Sequence, residues 1–353
     1  MDRMVLATRK GLISMRKNGG WTIERTDFPG VAVTAALHDA RDNTLYAMLK
    51  HGHFGAKLHR SDDEGKTWRE LPAPAFAADA AGAPALFQVW TLEPSGDEQG
   101  ALWAGAIPAG LFRSNDRGES WQQLMPLWDV PERAKWFGGG YDDAGIHTVS
   151  PDPRDANRLF VAISCGGVWE SLDAGASWKL HGNGMVATYL PPEQAGALES
   201  QDPHRVARCK GAPDTMWMQH HCGIFRSTDT GRTWTQLKPP GDDFGFAVAA
   251  HPRDPLTAWF VPGIKDELRV PRDGALAVTR TRDGGKTWQS LRSGLPQRDA
   301  YELIYRHALD VDGEGGQLAM GSTTGSLWVS ENAGDDWTLV NAHLPPIYAV
   351  SLF

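Results

Sequence analysis

The chain is divided into short apolar runs separated by polar turns, and the runs recur in a fixed order. One set comprises runs such as Leu45-Tyr46-Ala47-Met48, Leu159-Phe160-Val161-Ala162 and Leu318-Ala319-Met320-Gly321. A polar turn precedes each, of which Ser150-Pro-Asp-Pro-Arg-Asp155, His251-Pro-Arg-Asp-Pro255 and Asp310-Val-Asp-Gly-Glu314 are examples. A second run comes soon after: Leu111-Phe112-Arg113, Val168-Trp169-Glu170, Ile224-Phe225-Arg226 or Leu327-Trp328-Val329. Short apolar runs bounded by turn signals predict β-strands.

Directly after the second run comes an octapeptide. It reads Ser61-Asp-Asp-Glu-Gly-Lys-Thr-Trp68, Ser114-Asn-Asp-Arg-Gly-Glu-Ser-Trp121 and Ser171-Leu-Asp-Ala-Gly-Ala-Ser-Trp178. It continues as Ser227-Thr-Asp-Thr-Gly-Arg-Thr-Trp234 and Thr281-Arg-Asp-Gly-Gly-Lys-Thr-Trp288, with a worn copy at Ser330-Glu-Asn-Ala-Gly-Asp-Asp-Trp337 and a fainter one at Lys17-Asn-Gly-Gly-Trp21. The Asp accepts hydrogen bonds within its own turn, the Gly supplies positive φ, and the Trp opens the next strand with a large apolar side chain. Each unit is therefore four antiparallel strands, A to D, with the octapeptide at the C–D turn.

The seven tryptophans lie 47 to 57 residues apart, a period that belongs to propellers rather than short solenoid repeats. The first unit has strands B, C and D but no A, whereas the last unit has one spare strand after it, Ile347–Phe353. Pairing the spare strand with the first unit closes a ring with few exposed edges. The expected fold is all-β: one seven-bladed β-propeller over 1–353, with blade 1 built from 1–26 and 346–353.

Composition narrows the function. Glycine and proline account for 39 and 23 of 353 residues, too many for a helical bundle, and 41% hydrophobic residues are ample for a core. A net charge of −8 and the lack of basic aromatic stripes argue against nucleic acid as a partner. No run reaches the ~20 apolar residues of a membrane helix, and Met1–Lys10 lacks a secretory pattern, so the expectation is a cytoplasmic protein without membrane association. Three cysteines do not make a disulfide framework.

The octapeptide is identified as the Asp-box (BNR) signature, and along essentially its whole length the chain resembles the sialidase-like superfamily of Asp-box propellers. Thr8-Arg-Lys-Gly11, Gly52-His-Phe-Gly55, His221-Cys-Gly223, Asp243-Phe-Gly-Phe246 and Leu344-Pro-Pro346 resemble bacterial seven-bladed proteins labelled glycosyl hydrolase or exo-α-sialidase. The resemblance implies a glycosyl hydrolase-like or lyase-like enzyme on a small polar, sugar-like or carboxylated ligand. The alternative is a non-catalytic propeller that binds a ligand or a protein partner. True sialidases generally have six blades and an Arg-x-Pro motif before the first box. Here the similar Leu268-Arg-Val-Pro271 falls in blade 6, so sialic-acid cleavage is not the expected activity.

The strand order puts A–B and C–D turns on one face, with the B–C and D–A connections on the other. The long segments Leu71–Ala85, Met125–Ile146, Leu180–Pro203 and Lys265–Gly274 all belong to the second face, where function concentrates on a rigid scaffold. His147 and His204 occupy matching positions at the start of strand A in neighbouring blades, and Cys165 and His221 match at B–C connections. Those four are candidate ligands for a transition metal such as zinc; alternatively, they are hydrogen-bonded pocket residues. His221, Glu267, His147 and His204 are the candidate acid/base residues. Arg9, His53, Arg269, Trp90 and Tyr301 are candidate ligand-binding residues, with Arg205, Arg306 and Tyr305 close to the same mouth.

Overall fold

The computed structural model describes residues 1–78, 82–96 and 98–353. Seven four-stranded antiparallel sheets succeed one another as the blades of a β-propeller. The innermost strands, A, of blades 2 to 7 are Ala32–Asp39, Gln88–Pro94, Gly145–Asp152, Pro203–Arg208, Phe244–Ala250 and Leu309–Val311. Strand A of blade 1 is Ile347–Leu352. It pairs antiparallel with Arg3–Thr8 in a register running from Met4 opposite Leu352 to Thr8 opposite Ile347. The ring is closed as the strand count predicts. No helix among the described residues is long and apolar enough to cross a membrane.

The octapeptide turns explain why the blades form where they do. In blade 2 the Asp63 carboxylate accepts from the Ser61 hydroxyl at 2.7 Å, the Thr67 backbone N–H at 2.9 Å and the Thr67 hydroxyl at 2.7 Å. The Ser61 oxygen in turn accepts from the Gly65 N–H at 2.7 Å. The same network recurs around Asp116, Asp173, Asp229 and Asp283. The residue before each Gly also has positive φ, as at Glu64, Arg117, Ala174, Thr230 and Ala333. Two consecutive left-handed residues give the turn a twist that suits a hairpin.

The core lies between the faces of adjacent blades. Tyr46, Met48, Leu58 and Leu71 of blade 2 pack on Val89, Leu92, Leu102 and Phe112 of blade 3. Trp103, Trp169, Trp217, Trp259 and Trp328, on strands B or C, are fully enclosed. Each octapeptide Trp of blades 4 to 6 donates its indole N–H to the Gly carbonyl of its own turn. Trp234 also packs against Phe160 of the preceding blade. Most of the tryptophan content is thus architecture.

Replacing Asp229 by Ala removes the acceptor of two backbone N–H groups and two hydroxyls in a partly buried turn. The expected loss, read from denaturant unfolding, is about 1–2 kcal/mol. Asp229→Asn is expected to lose less than half of that. Blade 7 already uses Asn332, whose Oδ1 accepts from the Ser330 hydroxyl and the Asp336 N–H.

Candidate functional site

On the face opposite the octapeptides, the B–C and D–A connections enclose a cavity of about 1220 Å³. Its lining is set by a feature of the innermost strands. In blades 1 to 6 the pairing of strand A with strand B slips near the cavity end of strand A. The residues left over are Tyr348, Thr34, Trp90, His147, His204 and the Phe246-Ala247 pair. A β-bulge bends its strand and re-aims a side chain. Five of these side chains, those of Tyr348, Thr34, Trp90, His204 and Phe246, line the cavity.

The polar centre lies between blades 4 and 5. Asp202, two residues before His204, is 4% exposed. One carboxylate oxygen, Oδ1, accepts from the Ser164 hydroxyl at 2.9 Å and the Cys165 N–H at 3.1 Å. The other, Oδ2, lies 3.2 Å from His204 Nε2 and 3.5 Å from His221 Nδ1. His204 Nδ1 is 2.6 Å from the Gly245 carbonyl, to which it donates, and its ring stacks on Phe246. His221, half-buried, is held edge-on by Tyr189 and Phe244. Gly139 packs against this group so closely that a Cβ there would lie 2.7 Å from Cys165 Sγ and 3.0 Å from Ser164 Oγ. No larger residue fits without moving them.

Burial alone would raise the Asp202 carboxyl, but the adjoining His204 and His221 and the Arg306 charge hold it well below the usual carboxylate range. Burial pushes His204 down against the attraction of Asp202. Burial, reinforced by Asp202, pushes the Cys165 thiol up, so it is not a thiolate at neutral pH.

The same lining holds Arg306, 8% exposed, whose guanidinium sits over the rings of Trp90 at 4.6 Å and Phe246 at 5.2 Å. Among the described residues it has no carboxylate within 4.0 Å, and its Nε has no acceptor. Arg9, Lys50 and Arg269 add positive charge to the same lining. Arg269 is paired with Asp266 in the blade 6 connection, and its guanidinium lies over Phe246.

The residues singled out in the sequence divide clearly. His204, His221, Cys165, Glu267, Arg9, Arg269 and Trp90 converge on the cavity, with Arg306 and Tyr305. His147 does not. Its bulge turns the ring under Trp90, where it is fully buried, with Nδ1 on the Thr148 hydroxyl and Nε2 unpartnered. His53 projects from the exposed 3-10 turn Gly52–Phe54 and does not line the cavity. Tyr301 is 68% exposed and also lies off the cavity wall; Tyr305, four residues later, is on it. Arg205 lies outside the lining and donates to the His147 carbonyl. Trp128 and Trp136 pack on Phe76 and Trp169 and belong to the scaffold. Of the long segment Leu71–Ala85, residues 79–81 fall outside the described residues.

Asp202 is the central cavity residue that sequence pattern alone did not single out. Its signal was local, an acid two positions before a strand-opening His, but the adjoining Pro203 marks it as the end of a loop.

No protein-family model matches the chain. It is 27% identical over 230 residues to the Neosartorya fischeri "Probable oligoxyloglucan-reducing end-specific xyloglucanase", covering 62% of this chain and 27% of that one. It is 23% identical over 288 residues to a Paenibacillus xyloglucanase, covering 69% and 25%. The chain thus spans about a quarter of the length of these curated relatives. Among solved structures, the GH74 xyloglucanase of Xanthomonas campestris superposes with a TM-score of 0.64 at 19% identity, over 96% of this chain and 52% of that one. YCF48 from Cyanidioschyzon merolae superposes with a TM-score of 0.56 at 12% identity, over 89% and 87%. At these identities the superpositions establish the propeller fold and nothing finer.

Proposed function

We propose that the cavity is the active site of a hydrolase- or lyase-type enzyme acting on a small sugar-like ligand that carries a carboxylate. The observation that carries this reading is Arg306. Its guanidinium offers five N–H donors, is almost fully buried on the cavity wall, and has its Nε buried without an acceptor among the described residues. A buried cation without a partner is costly, and a bidentate carboxylate is its best complement. Trp90 and Tyr305 supply flat surfaces of the kind that pack on sugar rings. The reacting end of the ligand is assigned to the Asp202–His204–His221 wall, with Glu267 as a second carboxylate on the rim. The xyloglucanase relatives support the glycosyl-hydrolase side of this assignment. Convergence of cations, imidazoles and a carboxylate in one deep cavity supports ligand chemistry over a scaffold role, which calls for a broad apolar surface.

The test is calorimetric binding of uronic acids against their neutral parent sugars. The carboxylated compounds are expected to bind tighter, and Arg306→Met to weaken them roughly tenfold or more while sparing the neutral ones. Equal binding of both classes, or no effect of the substitution, would remove the basis for the assignment. Turnover is to be sought on aryl uronides and lactones, where His221→Ala is expected to lower the rate by roughly a hundredfold.

A further inference from the structure

We propose that Asp202, His204 and His221 bind a divalent transition-metal ion on the inner wall of the cavity, leaving its remaining coordination positions open to ligand. One carboxylate oxygen and one nitrogen from each imidazole lie within 4.8 Å of one another, a spacing that a single ion can bridge with small side-chain adjustment. The more telling feature is which atoms face each other.

His204 Nδ1 is 2.6 Å from the carbonyl oxygen of Gly245, an acceptor only, so Nδ1 carries the hydrogen. The neutral ring then presents the lone pair of Nε2 toward Asp202 Oδ2, 3.2 Å away. Oδ2 is itself a lone-pair donor. Its partner oxygen Oδ1 is already occupied by the Ser164 hydroxyl and the Cys165 N–H, which fix the carboxylate with Oδ2 toward the histidines. Two lone-pair donors face to face in a buried wall need a positive particle between them. A proton serves one such pair. Here a third donor, His221 Nδ1, reaches the same oxygen at 3.5 Å from the cavity side. A cation satisfies all three at once.

The surroundings match what a metal ligand set requires. A histidine ligand is oriented by donation from its other nitrogen to a carbonyl or carboxylate, as His204 does to Gly245. Phe246 stacks on His204, and Phe244 and Tyr189 hold His221 edge-on, so the ring orientations are set by packing. Two imidazoles and one carboxylate with free positions are the donor set of zinc hydrolytic sites and of non-haem ferrous sites, and are poor ligands for magnesium or calcium. Cys165 is not part of the set: the ligand atoms that lie within 4.8 Å of one another come from Asp202, His204 and His221. His147 is excluded by burial under Trp90.

The metal site deepens the proposed function by naming what stands at the reacting end, and depends on it only for the identity of the substrate. Bound there, a divalent ion would polarise a ligand oxygen or lower the pKa of a coordinated water.

The experiment uses the full chain prepared without a histidine tag, freed of metal by chelation, and titrated separately with Zn²⁺ and with Co²⁺. Roughly one equivalent is expected to bind, with visible d–d absorption for Co²⁺ and a higher melting temperature with Zn²⁺. His221→Ala, at a half-exposed position, is expected to keep the metal-free melting temperature and to lose roughly tenfold or more in affinity. Asp202→Asn is the second variant, expected to lose the Co²⁺ spectrum. Binding of less than roughly a tenth of an equivalent would overturn the proposal, as would stoichiometric binding that His221→Ala leaves unchanged. So would nitrogen NMR showing His204 protonated on both ring nitrogens at neutral pH in the presence of excess Zn²⁺. None of these readouts involves a sugar. Failure of metal binding and failure of the carboxylate-ligand assignment therefore remain distinguishable.

Discussion

Ile347→Asp is expected to leave the protein without a cooperative folded state. Ile347 is 0% exposed and sits at the seam where blade 7 meets blade 1, among Met4, Leu6, Ile13, Leu327 and Leu344. It packs so closely on Gly321 that a Cβ on that glycine would lie 2.5 Å from the Ile347 side chain. The strand carrying it is bonded on both sides. It pairs with Arg3–Thr8 of blade 1, and toward blade 7 its N–H groups reach the Ser322 carbonyl from Ile347, the His307 carbonyl from Val350 and the Asp310 carboxylate from Leu352. Losing the isoleucine contacts costs about 2–5 kcal/mol, and an unpaired carboxylate in the same space adds several more. Together these rival the ~5–15 kcal/mol that a folded protein commands. Ile347→Val, at about 1 kcal/mol, is the control that keeps the ring closed. Soluble yield and a thermal melt decide the matter; an Asp variant melting within roughly 5 °C of the parent would show that closure contributes little to stability.

Closure was legible in the sequence because it comes from counting strands, and the count rests on a local signal. The octapeptide fixes its turn through hydrogen bonds within eight residues, so each copy marks a C–D hairpin wherever it occurs. The cavity rests on a different kind of information. His147 and His204 were recognised as equivalent, and they are: each is the extra residue of a bulge in strand A. Their fates differ because the neighbouring blade differs. Trp90 covers His147, whereas the neighbour beside His204 is Phe246, which stacks on it and leaves its edge toward Asp202. Arg306 was one of four arginines named for the mouth, but nothing along the chain separates it from Arg205, which donates to a buried carbonyl instead. Which arginine keeps a donor free is decided by residues from three blades, and no spacing in one segment encodes that.

The unfolding free energy is expected to fall by about 3 kcal/mol between pH 7.5 and 5.5, above the range in which ordinary carboxylates titrate, with Glu93 and Asp310, whose carboxyls burial pushes up, acting in the opposite direction. Two histidines carry the effect. His147 and His220 are both 0% exposed. Burial, with Arg306, His307 and Arg205 close by, holds His147 well below its ordinary value. Burial, together with His204 and His221 and against Asp202, brings His220 down to about 3. Both nitrogens of His220 face backbone N–H groups, those of Asp202 and Cys222, so a proton added to the ring displaces an acceptor. Proton counting gives the sign. The folded state keeps these rings neutral, while the unfolded chain takes up a proton at each below about pH 6.5. Acid therefore favours unfolding. The stability is fully present above the unfolded value and is lost progressively as pH falls toward the folded ones. Each group contributes about 1.4 kcal/mol one unit below its unfolded value, and His59, His181, His204 and His307, also held low chiefly by burial, shift in the same direction. Urea unfolding at three pH values measures the slope. His147→Leu replaces a ring whose Nε2 has no partner and removes one titrating group, so its slope should be shallower by about one proton. An unchanged slope in that variant, or a flat profile in the parent protein, would mean that these rings are not held neutral by the fold.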